Sequence, residues 1–283
     1  MSPREGWAMA RQALKAWNDD YAPSMGAALS YYTLFSIAPL LLIVLAIAGL
    51  VFGEEAARGE LYGEMAGLIG PSGAQAVQEL VAHANRPAAG ITALALGSVA
   101  LFLGASAVFG ELQNALDRIW RAPAAKQHSG WMNILRSRLL SFGMILAVAF
   151  VLMVSLVLSA VLAALGRWWA LDLAASLAVT TLVFALVYKI IPRVRIRWGD
   201  VWVGAAVTAA LFALGKVLIG LYLGRSSLGS TFGAAGSLVV FMVWVYYSAQ
   251  VFLLGAEFTR VYAARIRACE KAPSESLPRT SAA

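Results

Sequence analysis

The chain has one cysteine, Cys269, and two histidines, His83 and His128, in 283 residues. A single thiol excludes an intramolecular disulfide and a cysteine-based metal centre. The two imidazoles fall in segments assigned below to opposite sides of a membrane, so they cannot share a metal. Charge is scarce as well. Only 13% of residues are charged while 60% are hydrophobic, which overrides the two soluble domains that the length would suggest. P-loop, HExxH and GxSxG patterns are absent, so the common phosphate-cradling, zinc-protease and hydrolase chemistries have no signature. The first 26 residues lack an apolar core between their charges, and no cleavable signal peptide is expected. We expect no cofactor, no metal and no enzymatic activity.

What the chain does have is six long apolar stretches: Ala27–Phe52, Ala88–Gly110, Leu139–Leu165, Leu171–Ile191, Val201–Leu223 and Gly236–Ala256. Each reaches about 20 residues, enough to cross ~30 Å of hydrocarbon as a helix. Numbering the gaps alternately puts 17 Lys/Arg residues on one side and four on the other, with Lys216 inside a span. Cytoplasmic loops carry that excess, which predicts both termini inside. The fold expected is therefore an all-α, polytopic bundle of six transmembrane helices, with short amphipathic helices outside the membrane. The net charge of +7 then serves as a topology signal and favours anionic lipid headgroups as partners. No nucleic-acid partner is expected, since no soluble fold organises the basic residues. A homo-oligomer is compatible with the pattern.

Residues 1–26 form an amphipathic arm, in which Trp7, Ala10, Leu14, Trp17 and Tyr21 recur at helical spacing. The arm is expected to lie along the inner membrane surface until Pro23 turns the chain into the first span. Residues 27–265 make the membrane domain. Within it, 53–87 is an external, periplasmic cap with two short helical patterns around Gly70-Pro71-Ser72-Gly73. That cap either gates a cavity or packs as a solvated loop. Residues 266–283 read as a disordered cytoplasmic tail.

Spans one and six are unusual because tyrosine and tryptophan normally sit at membrane interfaces. Tyr246, Tyr247, Ser248 and Gln250 lie near the middle of span six, while Tyr31, Tyr32, Thr33, Ser36 and Pro39 lie in span one. Hydrogen-bonding groups facing lipid would be unsatisfied, so these face other helices or a hydrated cavity. Two readings stand side by side: a solute path, or an interhelical lock. Lys216 either attracts an anionic group or snorkels to the interface. Glu257 and Arg260 end span six as an interfacial pair or a buried coupling carboxylate, and Glu111 and Asn114 occupy the matching depth after span two. Arg193, Arg195 and Arg197 alternate after Pro192 and are candidates for lipid headgroups. Small residues four apart, Ala100/Gly104, Ser106/Gly110 and Gly220/Gly224, suggest close helix packing.

Several segments together resemble the YihY/BrkB family of bacterial inner-membrane proteins. They are Ala28-Leu-Ser-Tyr-Tyr-Thr-Leu-Phe-Ser-Ile-Ala-Pro39, Asn114-Ala-Leu-Asp-Arg-Ile-Trp120, Tyr188-Lys-Ile-Ile-Pro192 with the region Gly204 to Tyr222, and Trp244-Val-Tyr-Tyr-Ser-Ala-Gln-Val-Phe-Leu-Leu-Gly-Ala-Glu-Phe-Thr259. The resemblance spans roughly residues 10–265. It implies a six-helix domain in the bacterial inner membrane. The family carries virulence-factor and transporter-like descriptions and an older label, ribonuclease BN. This sequence lacks a two-metal carboxylate cluster on the cytoplasmic side, so nuclease activity is not expected. Translocation of an anionic or amphipathic solute or lipid is the leading expectation, and a non-transporting scaffold for envelope assembly the alternative.

Overall fold

The computed structural model describes residues 3–36, 107–123, 169–225 and 236–271, together with residues 59, 62, 63 and 78. Most of the first two apolar stretches and all of the third lie outside these residues, as do Pro39 and nearly all of the cap. Its four described residues are helical. Six helical segments occupy the long described stretches. They are α1 (Pro3–Asp19), α2 (22–36), α3 (107–119), α4 (Trp169–Ile190), α5 (Trp198–Arg225) and α6 (Gly236–Lys271). No strand occurs among the described residues.

Two described helices are long and apolar enough to cross a membrane, through Trp198–Leu218 and Val239–Ala268, and a shorter apolar helix covers Ala174–Ile190. They coincide with the fifth, sixth and fourth apolar stretches. Helix α6 continues well past Ala256. No proline interrupts it until Pro273, whose ring disfavours helical geometry in the residue before it. Residues 266–271, read from composition as the start of a disordered tail, are thus helical, and 272–283 lie outside the described residues. Residues 236–256 suffice to cross the hydrocarbon core. Glu257, Arg260, Arg265 and Arg267 lie beyond them on the same helix.

The chain divides into two compact units. The first comprises Met1–Ala22, Ala115–Ala210 and Phe252–Ala283, and the second Pro23–Asn114 and Leu211–Val251. In the first unit Leu116, Ile119, Tyr188, Ile196, Val201 and Leu253 are fully buried. Helix α1 starts with Pro3, which has no amide hydrogen to leave unpaired, and carries Glu5 in its first turn, where an acid complements the helix dipole. Its Met9 and Ala13 are buried with Val261, beside Leu254, Phe258 and Tyr262 of α6. Of the stripe singled out from the sequence, Trp7 is 68% exposed and Leu14 and Tyr21 are also exposed, while Ala10 and Trp17 are half-buried. Helix α1 therefore has two apolar sides. The side with the small Ala13 allows the close approach to α6, and the bulky side is left free.

Both α1 and α3 end in a left-handed residue that is not glycine, Tyr21 (φ 57°) and Arg121 (φ 51°). Such a conformation is costly for side chains with a Cβ, and it persists where the surroundings impose it. Here the two turns are joined. Arg121 Nη1 lies 2.7 Å from Asp20 Oδ1, and the Arg118 guanidinium sits 5.4 Å from the centre of the Tyr21 ring.

Candidate functional site

In the second unit, α6 packs against both α2 and α5 through glycines. A Cβ on Gly26 would overlap the Gln250 side-chain amide, and one on Gly215 would overlap the Tyr247 phenol. The Phe212 and Trp244 rings meet edge to face at 6.2 Å. Gln250 and Tyr247 thus fill helix–helix contacts. Several other polar side chains of α2, α5 and α6 are exposed. Tyr31 is 53% and Tyr32 36% exposed, their rings 5.6 Å apart and nearly perpendicular, and Tyr246 and Lys216 are exposed as well. Ser36 Oγ donates to the Thr33 carbonyl at 3.1 Å, and Ser248 Oγ to the Trp244 carbonyl at 2.9 Å. These hydroxyls satisfy themselves on their own helix.

The first unit holds the polar groups at the ends of the spans. Pro192 has no amide hydrogen with which to extend α4, and the chain then alternates. Arg193, Arg195 and Arg197 are exposed while Ile196 is buried, so side chains two apart share one face. The Arg193 amide donates to Asp117 Oδ1 at 2.8 Å, and its guanidinium Nε lies 3.4 Å from Oδ2. Lys189 donates to the Ile196 carbonyl and stands 5.3 Å from the Trp198 ring centre. The result is a compact, solvent-facing cationic turn.

Deeper in this unit, Tyr188 is fully buried. Its hydroxyl donates to the Phe252 carbonyl at 2.7 Å and lies 3.1 Å from Thr208 Oγ1, which in turn donates to the Gly204 carbonyl at 2.7 Å. Only two hydroxyl protons serve these three contacts, so one of the two hydroxyls shares its proton. This node binds α4, α5 and α6 together. Tyr188→Phe is expected to cost about 1 kcal/mol, the net worth of one buried hydrogen bond, read as a small drop in the thermal midpoint of the purified protein.

Glu257 is fully buried (0% exposed). Arg260 donates to its Oε2 from Nε at 3.0 Å and from Nη2 at 2.8 Å. The acid that faces Glu257 within hydrogen-bonding reach is Asp20, from the end of α1. Burial, reinforced by Asp20 and opposed by Arg260, pushes the Glu257 carboxyl up to about 7. Of the pair proposed at matching depth, Glu111 is half-buried and Asn114 exposed, both on α3. Sequence reasoning passed over Asp20 and Arg121. The Asn18-Asp19-Asp20 run reads as the polar end of the arm, and only the third of these is buried. No group of three or more His, Cys, Asp or Glu among the described residues could hold a metal ion.

Comparison with known proteins bears on what this arrangement serves. The sequence model of the family described as Virulence factor BrkB matches residues 13–280. A UPF0761 membrane protein of Ralstonia nicotianae is 25% identical over 260 residues, covering 88% of this chain and 57% of its own. One from Psychrobacter is 26% identical over 85% of this chain and 45% of its own, and one from Vibrio vulnificus 26% identical over 90% and 82%. The chain thus spans about half the length of the first two relatives. No solved structure matches it.

Proposed function

Since the chain belongs to the BrkB virulence-factor family and is a membrane protein like its UPF0761 relatives, we propose that it moves an anionic or amphipathic solute, or a lipid, across the bilayer. The observation that carries this reading is the set of exposed polar groups on apolar spans: the phenols of Tyr31, Tyr32 and Tyr246 and the ammonium of Lys216. Facing hydrocarbon, each would lack partners at a cost of several kcal/mol, so a hydrated surface that a solute headgroup can follow suits them better. Lys216 gives that surface its preference for negative charge. Tyr247 and Gln250 hold the helices beneath it, and Arg193, Arg195 and Arg197 collect anionic headgroups at the end of the spans. The proposal places the protein in the bacterial inner membrane with both termini in the cytoplasm, and includes no catalytic step.

The experiment is translocation of a headgroup-labelled anionic phospholipid by the full chain in liposomes. Lys216→Ala is expected to slow it about fivefold, the equivalent of one cation–headgroup interaction near ~1 kcal/mol. Tyr31→Phe, which removes only the hydroxyl, is expected to slow it less. Parent-like rates for both variants would remove these groups from the mechanism. A second reading, a non-transporting scaffold for envelope assembly, draws on the way Tyr247 and Gln250 fill the glycine contacts. It predicts no translocation by the parent, and a stoichiometric partner captured by crosslinking in native membranes.

A further inference from the structure

Asp20 and Glu257 each give one carboxylate oxygen to an arginine and leave the other without a hydrogen-bond partner among the described residues. Asp20 Oδ1 takes Arg121, at 2.7 Å, and Glu257 Oε2 takes Arg260, at 2.8 Å. The remaining oxygens, Asp20 Oδ2 and Glu257 Oε1, are buried and without a hydrogen-bond partner. Both residues are almost wholly shielded from solvent, at 2% and 0% exposure. A buried acceptor left without a donor costs about 1–3 kcal/mol, more when charged, and two anions facing one another add repulsion. A single proton removes both penalties. We propose that Asp20 and Glu257 form a binding site for one proton, held on Glu257 and donated to Asp20, which fastens α1 to α6.

The proton comes from bulk water and returns to it, leaving Glu257 as carboxylate. The charged groups that act on Glu257 are Arg260 and Asp20. Arg260 comes from α6 itself and Arg121 from the turn after α3. Glu5 on α1 and Arg265 on α6 pair with each other at 3.4 Å, and Asp117 pairs with Arg193. The extra positive charge that accompanies protonation is carried in part by the Arg121 side chain, 59% exposed and so well solvated. The raised position of the Glu257 carboxyl, near 7, agrees with the geometry.

The left-handed residues Tyr21 and Arg121 flank the site, and Pro23 follows, where the chain passes from one compact unit to the other. Strain of this kind is held only while its surroundings hold, so loss of the proton loosens the end of α1 at a point already under load. The site stands apart from the translocation reading. It does not depend on what the protein carries, or on whether it carries anything.

Glu257 binds its proton more tightly in the folded protein than in the unfolded chain. Stability is therefore greatest below the ordinary carboxylate range, falls as pH rises through it to about 7, and is level above. The test uses the purified full chain in nanodiscs. The parent is expected to show a protonated-carboxyl stretch in difference infrared spectra at about pH 6 that fades by about pH 8, along with a thermal midpoint that falls as pH rises to about 7 and then levels. Glu257→Gln, which keeps a donor facing Asp20, should lack the band and lose that fall. Asp20→Asn supplies a donor of its own to Glu257, so the band should vanish even at about pH 6. A parent without a band sensitive to Glu257→Gln, or the same pH slope in parent and Glu257→Gln, would overturn the site. A profile that moves with sodium concentration would replace the proton by a metal cation, and would overturn it too.

Discussion

Gly255→Leu is expected to abolish accumulation of folded protein, and Gly255→Ala to lower its stability by several kcal/mol. A Cβ at Gly255 would overlap the Thr208 hydroxyl and press on the Tyr188 phenol and the Thr208 Cβ. These neighbours cannot step aside, because Tyr188 is tied to Phe252 at 2.7 Å and Thr208 to Gly204 at 2.7 Å. Overpacking costs about 1–3 kcal/mol, and stranding a buried hydroxyl about as much again. Together these approach the ~5–15 kcal/mol by which a typical protein is stable at all. The measurement is the monodisperse fraction in size-exclusion chromatography and the thermal midpoint. Gly110→Ala is the control. A Cβ there meets nothing within 4 Å, so alanine in that helix should be neutral or gain up to ~1 kcal/mol.

The second large effect concerns lipid. Replacing Arg193, Arg195 and Arg197 together by alanine is expected to weaken retention of an anionic phospholipid about thirtyfold at low salt. Each basic side chain near a charged surface contributes about 1 kcal/mol, so three would give a little over a hundredfold. Arg193 is discounted because its guanidinium already lies 3.4 Å from Asp117. The difference between parent and variant should shrink as salt rises, since these side chains are exposed and screened. Native mass spectrometry of the protein with a zwitterionic and an anionic lipid reads it directly. Equal loss of both lipids in the variant would show a damaged fold instead of a lost headgroup site.

These effects were unequally visible in the sequence. The helices α4, α5 and α6 start within three residues of the apolar stretches that announced them, because hydropathy over twenty residues is a strong signal. The far end of α6 was hidden, since a helix emerging into water has the composition of a tail. The close approaches at Gly26, Gly204, Gly215 and Gly255 were missed in favour of small-residue pairs, of which Gly110 stands in open space. Small-residue spacing says that a helix can be approached and says nothing of what approaches it. The Arg193–Arg197 alternation was legible as a face. The partnership of Asp20 with Arg121 and Glu257 was not, because it joins residues far apart in sequence through two unusual turns. Long-range polar contacts leave no periodicity to read.

The length of α6 has one more implication. Its 36 residues make a rod of about 54 Å, so it exceeds ~30 Å of hydrocarbon by more than a third of its own length. Its residues 236–256 carry no charge, while Glu257, Arg260, Arg265 and Arg267 follow. An unbroken helix couples them. A thicker bilayer draws more of the rod inward or reduces its tilt, and either adjustment shifts the surroundings of Glu257. Lipid chain length is therefore expected to act on the Asp20–Glu257 pair through this helix.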